Sequence, residues 1–353
     1  MSQMKVGLIF GGKSGEHDVS ILSASSVLRA IDKSRYLPVP IGIKKDGSLA
    51  SFSDNQSMLA KDLSHLVDKD FPYNDFSLGL SNNTKLLDVI FPVLHGPNGE
   101  DGTIQGCLEL MDIPFVGSGV LGSSTGMDKD IMKRVFESHG LPQLPFYSFK
   151  SLLWEQDSSK VMDAIESLIP YPHFIKPANM GSSVGVHKAH NRKDLAEGIR
   201  DALKYDHKIV VEKGIDVREI EVAILGNEEP KVSVPGEILP SKEFYDYEAK
   251  YLSNDSELII PARLSSSEED TIRSYGVQAF LALDCAGLAR VDFFIDKADN
   301  AIYINEVNTI PGFTQISMYP KLWEASGLPY TELIDQLITL AIDRHKRKVQ
   351  TIV

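Results

Sequence analysis

Ala286-Gly-Leu-Ala-Arg290-Val-Asp292-Phe-Phe-Ile-Asp296 is followed, after Lys297-Ala-Asp-Asn-Ala301, by Ile302-Tyr-Ile-Asn-Glu306-Val-Asn308. Both arms are rich in β-branched and aromatic residues and the connection is polar, so a β-hairpin is expected. With Asp296 placed opposite Ile302, Asp292 faces Glu306 and Arg290 faces Asn308. Side chains alternate between the faces of a sheet, so this register gathers Arg290, Asp292, Glu306 and Asn308 on one face, with Phe294 and Ile304 farther along it. Two carboxylates, an amide oxygen and a guanidinium suit a cation beside phosphate, because magnesium prefers hard oxygen ligands and usually takes only a few from protein. A solvated face with cross-strand ion pairs has the same residue types. A register slip of one residue would scatter the set.

Upstream, Phe174-Ile-Lys176-Pro-Ala-Asn-Met-Gly181-Ser182-Ser183-Val-Gly185 reads as a strand leading into a glycine-bracketed polar loop. Backbone N–H groups and hydroxyls in such a loop can close over phosphates, with Lys176 adding a point charge; a plain hairpin connection is the competing reading. Lys129 is a further candidate phosphate ligand, although a lone helical lysine is usually solvated. Val210-Val211-Glu212-Lys213-Gly214-Ile215 reads as a strand leading into a hinge. There the backbone can pair with an adenine edge, Glu212 can accept from its amino group and Glu219 can reach ribose hydroxyls. Nothing in those residues alone requires it.

At the N-terminus, Val6 to Phe10 reads as a buried strand and Val19 to Ile31 as a helix, with a strand at Tyr36 to Ile43, another at Asp88 to Leu94 and a helix near Thr103 to Met111. Gly7 to Ser14 fits the literal P-loop pattern, but its spacer Leu8-Ile9-Phe10 is apolar and belongs inside the strand. The glycines read instead as a turn delivering Glu16 and His17 to a helix N-terminus. Helices are expected at Asp128 to Gly140, Ser158 to Leu168, Asn191 to Lys204, Glu268 to Leu283 and Tyr330 to Arg347. Strands are expected at His173 to Lys176, Lys208 to Glu212 and Glu219 to Leu225, with a polar loop at Ser241 to Ser256. The fold class is α/β, with α+β character in the C-terminal half and an open α/β sheet at the N-terminus. Three units are expected, at 1–125, 126–213 and 214–353.

With 353 residues the chain is long enough for several cores. A net charge of −13 disfavours nucleic acid or an anionic membrane surface as partner, so a nucleotide site must be locally basic. Cys107 and Cys285 form no metal-ligand pattern, which suits a reducing compartment. No signal or membrane segment is apparent, and the expected location is the cytoplasm.

Six separated segments, in order, together resemble the ATP-grasp ligases, and among them the D-alanine–D-alanine ligase family. They are Gly11 to Ser20, His95 to Gly102, Lys176 to Gly185, Phe244 to Tyr251, Arg290-Val-Asp292 and Asn305 to Gly312. The resemblance implies a three-domain ATP-grasp architecture whose N-terminal domain contributes to the D-alanine site. It implies Lys129, Lys176, Ser183, Glu212, Lys213, Ile215, Glu219, Lys250 and Phe294 for ATP. Asp292, Glu306 and Asn308 are implied for two Mg2+ ions, Mn2+ being a possible substitute. Glu16 would pair with the ammonium of the first D-alanine, tied to Ser182 and Tyr251. Arg290 and the Gly312 backbone would stabilise anionic intermediates, while His95, Ser317 and Met318 would serve the substrates. The implied reaction passes through a D-alanyl phosphate to a dipeptide for peptidoglycan synthesis, and a homodimer is implied. Tyr251 favours dipeptide over D-alanyl-D-lactate synthesis. A D-alanyl-D-serine ligase and a non-catalytic nucleotide-binding module are the alternatives.

Overall fold

The computed structural model describes residues 3–78, 86–239 and 257–350. Its backbone forms three sheets. The first has the order β2-β1-β3 and is parallel, built from β1 (Met4–Gly11), β2 (Tyr36–Ile43) and β3 (Val89–Val93). These strands read as continuous apolar runs because both faces are covered. Gly7 to Phe10 lie inside β1, which removes the P-loop reading. Gly11 and Gly12 adopt φ of +90° and +96°, values that favour glycine, and turn the chain into α1 (His17–Ala30) with Glu16 as its N-cap residue.

The second sheet has the order β4-β7-β5-β6 and contains β4 (Phe146–Lys150), β5 (His173–Pro177), β6 (His187–Ala189) and β7 (Lys208–Lys213). The Gly/Ser loop joins β5 to β6, which pair antiparallel. In the third, the path β11-β10-β8-β12-β13 runs through β8 (Val217–Gly226), β10 (Gly236–Leu239), β11 (Glu257–Ile259), β12 (Gly287–Asp296) and β13 (Ile302–Asn308), with β9 (Lys231–Val232) on β8. The short strands β4, β6 and β9 to β11 carry too little pattern to be read from sequence.

The hairpin forms with Arg290 opposite Asn308 and Asp292 opposite Glu306, as expected. Beyond that point the expected register fails. Phe293 pairs with Ile304 and Ile295 with Ile302, so Asn305 is an extra residue in β13 and Asp296 is not opposite Ile302. A bulge turns the chain beyond it to the other face. Ile304 is accordingly in the core with Phe293, and does not share the polar face with Phe294.

The core of the first sheet is shared with the C-terminal helices Met318–Ala325 and Tyr330–Gln350. Phe91 and Phe313 meet edge to face at 5.7 Å, and Tyr319, Trp323, Leu333 and Ile334 complete the layer. This packing fixes the loop after β13, including Ile310 and Gly312, against the first sheet. Cys107 and Cys285 are free thiols, Cys285 being buried. Among the described residues, no helix is long and apolar enough to cross a membrane.

Candidate active site

A cavity of about 990 Å³ lies among the three sheets. Glu16, His95, Lys129, Lys176, Ser182, Ser183, Glu212, Lys213, Ile215, Glu219, Arg290, Asp292, Phe294, Glu306, Asn308 and Gly312 all line it, drawn from every part of the chain.

The hairpin supplies its floor. Arg290 donates from Nε and Nη2 to the two carboxylate oxygens of Asp292, each at 2.7 Å, and its Nε lies 3.1 Å from Glu221 Oε2. Asn308 donates to Asp292 at 3.0 Å. Glu221 on β8 and Glu306 on β13 both sit opposite Asp292, so three carboxylates form a row across adjacent strands with one arginine beside them. Among the described residues no three His, Cys, Asp or Glu side chains are already gathered as a metal site. The hard oxygen set of Asp292, Glu306 and the Asn308 amide nevertheless fits magnesium that completes its shell with phosphate and water.

The basic side comes from Lys129, Lys176 and a buried residue behind them. Helix α5 (Lys129–Ser138; α2 to α4 being Phe52–Met58, Thr103–Leu110 and Val120–Met127) starts at Asp128, whose side chain caps two backbone N–H groups and pairs with Lys208 at 2.6 Å. Lys129 at its first position donates to the Met180 carbonyl at 2.8 Å and lies 3.7 Å from Glu306. Lys176 donates to Glu212 Oε2 at 2.8 Å, while Lys133 lies 3.3 Å from Glu212 Oε1. Burial opposes the charge on Lys176, but Glu212, Glu306 and Glu219 outweigh it and hold its pKa above the ordinary lysine value. Burial likewise opposes ionisation of Glu212, yet Lys133 and Lys176 bring its pKa down to about 2. For Lys133 burial wins and pushes the ammonium below its usual value.

At the other end the first sheet meets the Gly/Ser loop. Ser182 donates to Glu16 Oε1, and Glu16 is buried. Ser182 and Ser183 take φ of +49° and +59°, a conformation uncommon outside glycine, which bends the loop over the cavity. His95 is buried, with Nδ1 3.0 Å from the Ile310 carbonyl and Nε2 3.1 Å from Ser23 Oγ. Burial pushes its pKa down, so the neutral ring donates from Nδ1 to that carbonyl and accepts from Ser23. Glu100 accepts from the backbone N–H groups of Gly96 at 2.7 Å and Ile310 at 3.1 Å. Burial and the Glu16 charge raise its pKa to about 8.

Two expectations take a different form. Ser317 and Met318 are not among the lining residues: Ser317 is bonded to Thr314 at 2.7 Å, and the Met318 side chain is in the core, because it heads the amphipathic helix that packs on the first sheet. Lys250, Tyr251 and the Ser241 to Ser256 loop lie outside the described residues. Sequence reasoning missed Lys133, Glu221, Glu100 and Ser23. Lys133 follows Lys129 by four residues and Glu221 follows Glu219 by two, so helical and strand periodicity respectively point to both.

The family model for the D-ala D-ala ligase N-terminus matches residues 5–118, and that for the D-ala D-ala ligase C-terminus matches residues 135–339. The D-alanine--D-alanine ligase of Natranaerobius thermophilus is 50% identical over 360 residues, covering 99% of this chain and 97% of that protein. That of Bacillus cytotoxicus is 47% identical over 356 residues, covering 99% and 98%. Among solved structures, the D-alanine-D-alanine ligase from Coxiella burnetii has a TM-score of 0.84 at 33% identity, covering 100% of this chain and 97% of that one. The VanG D-Ala:D-Ser ligase from Enterococcus faecalis has a TM-score of 0.82 at 34% identity, covering 96% and 100%. With both terminal models matched, and relatives near half identity along their whole length, the chain belongs to the D-alanine–D-alanine ligase family of ATP-dependent, ATP-grasp enzymes.

Proposed function

We propose that this protein joins two D-alanine molecules into D-alanyl-D-alanine, converting ATP to ADP and phosphate, as a step in peptidoglycan precursor synthesis. The observation that carries this reading is the bond between Ser182 and Glu16, which joins the Gly/Ser loop to the first sheet inside the cavity that also holds Lys176, Arg290 and Asp292. An ammonium seated at Glu16 places its own carboxylate toward the basic and metal-binding side chains.

A carboxylate is a poor electrophile until one of its oxygens becomes part of a phosphate leaving group. Arg290, Lys129 and Lys176 direct positive charge at the transferring phosphoryl group, and the backbone at Gly312 offers a donor to the developing oxyanion. Asp292, Glu306 and Asn308 would hold magnesium, which neutralises phosphate charge when bound; two ions, with Mn2+ as a possible replacement, belong to this proposal. Glu212, Lys213, Ile215 and Glu219 take the nucleoside, with Ser183 and Phe294 beside it. The second D-alanine sits near His95, with its carboxylate toward Ser317 and the backbone at Met318. The protein needs no covalent nucleophile.

Three units at 1–125, 126–213 and 214–353, a homodimeric state and a cytoplasmic location complete the reading. The division is supported by the three sheets, and the location by the need for ATP. A D-serine acceptor is the second reading, favoured by the likeness to the VanG D-Ala:D-Ser ligase. Incubation with ATP, magnesium and D-alanine, followed by chromatography of the products, tests the proposal. Dipeptide and ADP in equal amounts support it; ATP hydrolysis without dipeptide overturns it.

A further inference from the structure

Lys133 is 1% exposed and lies one helical turn beyond Lys129, behind Glu212 and outside the cavity lining. Its ammonium lies 3.3 Å from Glu212 Oε1 and 5.6 Å from the centre of the Phe146 ring. Glu212 Oε2 takes Lys176 at 2.8 Å. A lysine, a glutamate and a second lysine thus form a buried chain running from the core into the nucleotide end of the cavity. Glu306 and Glu219 act on its lysines from the third sheet.

Such a lysine is costly as a packing element. Moving an ammonium out of water is strongly unfavourable, and well-packed apolar side chains often replace buried ion pairs without loss of stability. The neighbours Met132 and Phe136 on the same helix already supply apolar packing. Lys133 instead gives Glu212 a fixed partner on the oxygen that Lys176 leaves, which keeps the carboxylate ionised and oriented. An ionised carboxylate only accepts hydrogen bonds, whereas a protonated one also donates. That distinction separates a purine with an amino group at its sixth position from one with a carbonyl there.

We propose that Lys133 is a positioning residue that holds Glu212 as a fixed acceptor, and so sets the preference of the nucleotide pocket for a 6-aminopurine over a 6-oxopurine. This rests on the placement of the nucleoside at Glu212 described above.

The test measures ATP and GTP affinity by titration calorimetry with magnesium, without D-alanine, on the full chain and on the Lys133→Met, Glu212→Gln and doubly substituted variants, with thermal melts as a folding check. In Lys133→Met the ATP:GTP affinity ratio is expected to fall about tenfold, the size of one weakened charge-assisted hydrogen bond. The KM for D-alanine should hold, which a general loss of structure would not allow. Glu212→Gln should lose the same discrimination, and the double variant should lose no more than Glu212→Gln. A folded Lys133→Met with the wild-type ratio, beside a Glu212→Gln that loses it, overturns the role of Lys133 and leaves the nucleotide placement standing. An unchanged ratio in Glu212→Gln overturns both. If Lys133→Met does not fold, Lys133→Gln takes its place: a folded Lys133→Gln with a lowered ATP:GTP ratio supports the role, and the wild-type ratio in it overturns the role.

Discussion

Arg290 and Asp292, two residues apart on β12, form a two-bonded ion pair in which Nε and Nη2 each donate at 2.7 Å. Asp292 also accepts from Asn308, and Arg290 is within 3.1 Å of Glu221. Were Asp292 to turn an oxygen to magnesium, its hold on the guanidinium would loosen, and Glu221 would keep Arg290 anchored in the proposed site. Replacing Arg290 by Ala should lower kcat about 10²–10³-fold, the usual loss for one preorganised donor to a developing oxyanion. Lys should restore little, because a point charge does not reproduce the planar fork. Steady-state kinetics on the two variants checks this.

Glu306 sits opposite Asp292 and near Lys129, and Glu306→Gln keeps its shape while removing its charge. Turnover should fall by at least about 10²-fold, since several kcal/mol of charge stabilisation depend on the metal. The melting curve should change little. Chelation of the wild-type protein should abolish turnover, and added magnesium should restore it. A magnesium titration of activity in both proteins reads the result.

The reading of this floor from sequence was sound up to Asp292 and Glu306 and failed one residue later. Strand alternation brings Arg290, Asp292, Glu306 and Asn308 together, but a bulge is a local change of count that side-chain type does not announce. Ile304 therefore reached the core instead of the polar face. The glycine turn delivering Glu16 was legible because Gly11 and Gly12 sit between a buried strand and a helix start. For Lys133 the one-turn spacing from Lys129 points to the same helix face, but its burial behind Glu212 shows only once the neighbours are placed. Ser317 and Met318 lie outside the cavity lining because the helix they begin turns its apolar side to the first sheet.

Glu100 has its pKa raised from 4.5 to about 8, chiefly by burial and then by the charge of Glu16. Between those values the folded protein holds a proton that the unfolded chain has released, so this group makes stability fall as pH rises through that window. Glu100→Gln should flatten that part of the profile. Thermal midpoints of both proteins from about pH 5 to about pH 9 measure it.

Gly96 has φ of +74°, and a Cβ there would collide with the Glu16 carboxylate. Gly96→Ala should cost about 1–2 kcal/mol from the left-handed backbone alone. It should also raise the KM for D-alanine more than that for ATP, because the displaced group is the carboxylate proposed to hold the D-alanine ammonium. Denaturant unfolding and the two KM values separate these effects.

The central claim is that ATP turnover here is coupled to the joining of two D-alanine molecules. Phosphate release from ATP, measured with D-alanine, L-alanine, D-serine and D-lactate offered singly and in pairs, tests it most directly. The account predicts release with D-alanine alone, matched by equal amounts of D-alanyl-D-alanine, no release with L-alanine, and little mixed product when D-serine or D-lactate is added. Release that does not depend on D-alanine, or a mixed product that outweighs the dipeptide, would contradict it.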